Sequence, residues 1–251
     1  TAGTLVDPGL LLSDNATYCM SLKEEDGHVF GVAFVDAATA TFKLASLEDD
    51  QSLAKLSTLL MQVRPKELVV PKGKLSSSVM KLFKDLLPDS CVIQTIPGKE
   101  YWDARKTGDE MDKSGYNWPE ALRACPEVTL SAFGGLLWYL GELKLDTQLM
   151  VSPEFELYDP VRKADRLVLD AQTLINLDIL PTGTGPSAMK GTLLGLLDKC
   201  STPFGRRLLR IWVCHPLRNA EAIDKRLDAV QWLMSSSSLM KSIQKDLSGF
   251  P

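Results

Sequence analysis

Three stretches early in the chain set its pattern. In TYCMSLK (17–23) and ATFKLASL (40–47) apolar and polar residues alternate, as in strands with one buried face. HVFGVAFVD (28–36) between them is apolar nearly throughout, as in a central strand covered on both faces. Turn-forming EEDG (24–27) and DAAT (36–39) separate the three, so the pattern predicts an antiparallel meander. DDQSLAKLSTLLMQV (49–63) then repeats Leu53, Leu56, Leu59, Leu60 and Val63 at helical spacing, with Asp49, Asp50 and Ser52 at its positive end. ELVVP (67–71) reads as a short buried strand, SSSVMKLFKDLL (76–87) as a helix and CVIQTI (91–96) as another strand. Right-handed crossovers extend the meander in parallel, with helices on the faces of the sheet. That order is the layout of a ribonuclease-H-like α/β fold.

Beyond residue 98 the pattern changes. Residues 98–122 are polar with weak periodicity and read as a loop ending in a short helix near WPEAL. VTLSAFGGLLWYLGELKL (128–145) is a helix whose Gly134 and Gly135 cost stability unless another backbone, most economically a helix, packs closely on them. Residues 146–166 form a connection containing a domain boundary. LVLDAQTLINLDIL (167–180) and the glycine-rich PTGTGPSAMKGT (181–192) follow, and after them only helices are expected: TLLGLLDKC (192–200), TPFGRRLLRIWV (202–213) with Thr202 as cap and Pro203 at the first helical position, and NAEAIDKRLDAVQWLM (219–234) with Ile223, Leu227, Val230 and Met234 on a stripe.

Composition narrows the function. The 251 residues are 45% hydrophobic and 24% charged with a net charge of -4, which fits two folded domains and excludes bulk electrostatic coating of DNA or membrane. Five scattered cysteines predict free thiols in a reducing compartment; Cys214 beside His215 falls short of a structural zinc set. No apolar run reaches the length of a membrane span and no secretory leader opens the sequence, so a soluble, unsecreted protein is expected. The first residue is not methionine, and both ends are read as cut from a longer protein.

Three motifs carry candidate chemistry. GPSAMKGT (185–192) resembles a phosphate loop, but its lysine precedes the glycine and no buried strand leads into it, so a flexible solvent loop is expected. A two-metal nuclease would need converging carboxylates; Asp36, Glu67, Glu100 and Asp103 are the candidates, and the strand interiors hold no acids. The helix carrying Arg206, Arg207 and Arg210 could belong to a helix-turn-helix, yet Phe204 and Gly205 stand where base-reading polar residues belong. Its basic face is expected to meet water or a neighbouring domain, opposite a Leu/Trp core stripe.

LVLDAQTLINLDIL, GTLLGLLDKCSTPFGRRLLRIWVCHPL and IDKRLDAVQWL, in this order and spacing, resemble the opening of the lever domain in the MutS mismatch-repair family. The matching positions are Leu169, Asp170, Thr173, Leu174, Asn176, Leu177, Thr202, Pro203, Gly205, Arg207, Leu208, Leu209, Trp212, Pro216, Leu217, Arg226, Leu227 and Asp228. The upstream half, including FGVAFVDAAT, EYWDA and SAFGGLLWYLGELKLD, is similar to the connector of the family's sixth eukaryotic branch. Phe204 replaces the usual methionine and Asp178 the usual glutamate. The resemblance implies a ribonuclease-H-like connector at 1–153 without nuclease activity, a linker at 154–166, and an all-helical partial lever at 167–251. It implies no catalytic, cofactor or metal residues here. ATP and magnesium would belong to a parent protein, and the mismatch-reading Phe-x-Glu and the phosphate loop are absent from this sequence. Implied partners are a second eukaryotic MutS homologue, a MutL-type protein, and DNA through other domains, in the nucleus. The rival is a ribonuclease-H-like metal-dependent nuclease.

Overall fold

The computed structural model describes residues 18–26, 28–37, 39–115, 118–161, 166–181 and 186–247. These divide into two compact units, one ending at Pro160 and the other starting at Val161.

The first unit is built on a six-stranded sheet in the order β5-β4-β1-β2-β3-β6. Strands β1 (Tyr18–Glu25), β2 (Val29–Asp36) and β3 (Thr41–Glu48) form the expected antiparallel meander. Strand β4 (Glu67–Pro71) lies parallel to β1, and β5 (Val92–Ile96) parallel to β4. The sixth strand, β6 (Glu154–Leu157), corrects the sequence reading: its residues were assigned to the linker, but they pair in parallel with β3 from Thr41 to Leu44. The alternation of Glu154, Phe155, Glu156 and Leu157 was the signal. Phe155 stacks with Phe42 and Phe133, which anchors the strand.

Each sheet face has its own core. Helices α1 (Ala54–Val63) and α2 (Ser77–Leu86) cover one, where Leu56, Leu59, Leu60, Val79 and Phe83 meet Met20, Phe30, Val32, Phe34, Leu68 and Val70. Helix α1 starts later than the periodicity predicts. Asp50 accepts from the Ser52 backbone and Leu53 turns left-handed at φ 53, so the first residues make a turn while the Asp49 carboxylate takes the Leu56 N–H. The opposite face is covered by α5 (Glu127–Glu142), with Phe133, Leu136, Leu137 and Leu140 against Cys19, Ala33, Val35, Phe42 and Val69.

Residues 98–122, read as mostly loop, instead contain a ten-residue helix, α3 (Ala104–Lys113), before the one-turn α4 (Glu120–Arg123). Only Thr107 and Met111 of α3 are buried, so the sequence shows almost no apolar stripe. Its cap, Asp103, accepts from Lys106 N at 2.8 Å. Close packing at the two glycines of α5 is present, but the atoms that meet them belong to side chains rather than to the expected backbone. A Cβ on Gly134 would collide with Thr107 of α3, and one on Gly135 with the Tyr101 ring. A short turn, α6 (Asp146–Leu149), leads to β6.

The second unit is helical: α7 (Ala171–Asn176), α8 (Pro186–Met189), α9 (Leu193–Leu197), α10 (Pro203–Cys214), α11 (Ala220–Ser235) and α12 (Ser237–Leu247). Of the segment 185–192, expected to be a flexible solvent loop, residue 185 lies outside the described residues, and α8 corrects the expectation by making the next four a helical turn. Among the described residues no helix is long and apolar enough to cross a membrane.

Candidate functional site

The segment Thr202-Pro203-Phe204-Gly205 is a complete helix start. Thr202, 5% exposed, accepts the Gly205 N–H on its hydroxyl at 3.1 Å, and Pro203 occupies the first helical position, where a missing N–H costs nothing. Gly205 is required by the cap itself, because a Cβ there would lie 2.7 Å from the Thr202 hydroxyl. Arg206 then reaches back toward the preceding turn, its Nε forming a loose ion pair with Asp198 at 3.5 Å.

The same unit ties its first residues to the end of α10. Arg166 donates from Nη1 to the His215 carbonyl at 3.0 Å, Leu167 N donates to Pro216 O at 2.8 Å, and Arg166 bridges Leu217. Asp170 caps α7 by accepting Thr173 N at 2.8 Å, and hydrogen bonds from Thr173 hold its carboxyl below the usual aspartate range. Leu174 is fully buried and Leu169 partly so, whereas Asn176 and Leu177 are exposed, Asn176 accepting from Gln172. Asp178, left-handed at φ 48, presents its carbonyl to Leu193 N at the start of α9.

The orientation of α10 corrects the expected core stripe. Phe204, Leu208, Ile211 and Trp212 are exposed by 37–46%, while Arg206, Arg207, Leu209 and Arg210 on the other side are only partly exposed. Trp212 is therefore not a core residue; the Arg226 guanidinium of α11 stacks 3.9 Å over its ring. On α11 the predicted stripe of Ile223, Leu227, Val230 and Met234 is likewise exposed, as is Asp228.

The candidate nuclease acids do not converge. Register places Asp36 opposite Tyr18, at the end of the sheet where β4 begins with Glu67, whereas Glu100 and Asp103 follow β5 at the other end. Four to five residues of strand separate the two groups, roughly 15 Å at the usual rise and far beyond a two-metal spacing. Glu67 is fully buried and accepts from Tyr139 Oη at 2.7 Å, and Asp103 is engaged as a helix cap. Among the described residues no three His, Cys, Asp or Glu side chains are grouped to hold a metal ion, and Cys214 with His215 adds none. A crevice of about 820 Å³ does open where β1, β4 and β5 end, beside Lys23, Glu24, His28, Lys74, Tyr101 and Ser131. Some of its polar groups satisfy each other, Lys23 donating to Ser131 and Glu24 accepting the Ser76 N–H, whereas His28 Nδ1 is buried without a hydrogen-bond partner among the described residues.

Several structural residues carried no clear sequence signal. Arg166 sat in the presumed linker. Gly195 lies within a leucine run that gives no sign of a close neighbour, yet a Cβ there would overlap Met189 O at 2.0 Å. Glu67 opens the ELVVP strand and is a candidate nuclease acid by sequence, where nothing indicates the buried Tyr139 hydroxyl that it accepts from.

Comparison with known proteins agrees with the resemblance. The profile of MutS domain II matches residues 17–153 and that of MutS domain III residues 172–251. The DNA mismatch repair protein MSH6 of Saccharomyces cerevisiae is 36% identical over an alignment covering 100% of this chain and 22% of that protein. Human Msh6 is 35% identical over 86% of the chain and 19% of its own length, and Arabidopsis thaliana MSH7 36% identical over 92% and 22%. The chain thus spans about a fifth of the length of these relatives. It belongs to the MutS family of DNA mismatch repair proteins, carries domains II and III of that family, and is MSH6-like in sequence.

Proposed function

We propose that this chain is the connector and first lever segment of a mismatch-recognition protein, and that it transmits state between mismatch-binding and ATPase domains located elsewhere. The first unit is then a ribonuclease-H-like connector without nuclease chemistry, and the linker shortens to the residues after β6. In this reading the parent pairs with a second eukaryotic MutS homologue in the nucleus, meets DNA through other domains, binds ATP and magnesium there, and presents the connector to a MutL-type partner.

The observation that supports this best is where the sequence invests its local order. The acids of the sheet are separated, buried or used as caps, while Thr202, Pro203 and Gly205 fix the start of a helix to within a single hydroxyl's width. A junction of this kind needs a stiff element that both ends can bias, and capping provides the stiffness. The signature residues Leu169, Asp170, Thr173, Leu174, Thr202, Pro203, Gly205, Arg207, Leu209, Pro216 and Leu217 act as scaffold. Leu208, Trp212, Arg226, Leu227 and Asp228 face outward as contacts for the rest of the lever.

The purified chain is expected neither to release phosphate from ATP nor to distinguish a mismatched from a matched duplex in a competition assay. A preference of about tenfold for the mismatch, some 1.4 kcal/mol, would overturn the proposal. In the longer protein, Gly205→Val should preserve mismatch binding while weakening ATP-driven release.

A further inference from the structure

Strand β5 ends the sheet and pairs only with β4 among the described residues. The bonds from Val92 N to Lys66 O and from Lys72 N to Ile96 O bracket that ladder. In a parallel pair the backbone groups alternate in direction, so Val92, Gln94 and Ile96 address β4 while the N–H and C=O groups of Ile93 and Thr95 point away from the sheet. Sheet edges are normally blunted by charge, proline or a bulge. VIQTI has none of these, and Ile93 is 39% exposed, as is Met80 on α2, the helix covering the same sheet face. The surroundings are basic. Residues 64–99 hold seven Lys or Arg against Glu67, Asp85 and Asp89, a net +4 in a chain of net -4. Lys72, Lys74, Lys81, Lys84 and Lys99 are all exposed.

We infer that β5 is a docking edge for an acidic, extended segment of a partner protein, which joins the sheet as an additional strand. Main-chain hydrogen bonds to Ile93 and Thr95 supply the pairing, exposed Ile93 and Met80 receive apolar side chains, and the lysines select for negative charge. The inference does not depend on the coupling role proposed above. A second copy of this chain is disfavoured as occupant. Its acidic strand β6 is the segment that would fit, but Glu156 of β6 is already held by Lys43 at 2.8 Å, and two chains of net -4 repel.

The test uses the full chain and a fluorescein-labelled octapeptide alternating glutamate with valine, with a lysine–valine octapeptide as control. The acidic peptide should bind by fluorescence anisotropy and slow amide exchange at Ile93 and Thr95 specifically. Thr95→Pro removes an outward donor without touching the ladder to β4 and should abolish binding. Lys72→Glu with Lys74→Glu should weaken binding about fivefold and flatten its salt dependence. A glutamate–valine peptide methylated on alternate backbone nitrogens, which leaves the protein unaltered, should fail to bind even if Thr95→Pro unfolds the chain. Equal binding of the lysine peptide, undiminished binding of the methylated peptide, or protection away from β5 would overturn the inference. Concentration-dependent dimerisation that protects both β5 and β6 would overturn it in favour of a second copy.

Discussion

A methyl group at Gly31 would have to share space with the Val128 carbonyl, 2.2 Å away, because the first turn of α5 rests directly on β2. Neither partner can step aside, since both are backbone held in regular structure. Gly31→Ala should therefore destabilise the first unit by about 3 kcal/mol, the upper end for overpacking, as measured by urea denaturation. Gly205→Ala threatens something smaller, the hydroxyl cap of α10, and should cost about 1 kcal/mol. The two glycines differ in legibility. Gly205 follows a Thr-Pro helix start, so its role can be read from its neighbours, whereas Gly31 lies in an apolar run that gives no hint of what crosses above it. Asp170 offers a titration test. Its carboxyl is held low by Thr173, so its contribution to folding is complete above the unfolded value near ~4 and fades as the pH falls through the folded one. Asp170→Asn keeps a capping side chain and should flatten that part of the acid-stability profile.

At the scale of elements, hydrophobic period identified the meander, α1, α2 and α5, and in the second unit α9, α10 and α11. It missed α3 because packing against α5 needs only Thr107 and Met111 from that helix, leaving the rest polar. It missed β6 because four residues with one inward phenylalanine make too short a pattern beside prolines and charges. It read α10 as a helix but could not tell which side faces inward, since a stripe of Phe204, Leu208, Ile211 and Trp212 looks the same whether it meets this chain's core or something else. Exposure changes the expected energetics. A buried tryptophan removed to alanine costs 3 kcal/mol or more, but Trp212 is 37% exposed and held chiefly by Arg226, so Trp212→Ala should cost about 1 kcal/mol in this chain. A thermal melt followed by circular dichroism distinguishes the two values.

For the molecule as a whole, the two units are unequal in apolar burial. Among the described residues, both extended clusters of buried side chains belong to the first unit, while the apolar side chains buried in the second are chiefly Ala171, Leu174, Ile179, Leu180, Leu194 and Cys214. Denaturation of the chain should therefore occur in two steps, the helical unit first, rather than in one cooperative transition. The division into an α/β and a helical half was legible from composition and period alone. The separation of the candidate acids was legible too, because Asp36 ends one strand, Glu67 opens another and Glu100 and Asp103 follow a third in a sheet whose strand directions the connections predict; what the sequence could not show was that Glu67 would be buried against the Tyr139 hydroxyl. The thiols turn this inequality into a clock. Cys19 lies at the centre of the sheet and Cys214 at the end of α10, both almost wholly buried, with burial raising the pKa of each sulfur. Alkylation in rising urea should thus mark Cys214 while Cys19 is still silent, and the interval between the two marks dates, in a single tube, how long the sheet outlives the helices.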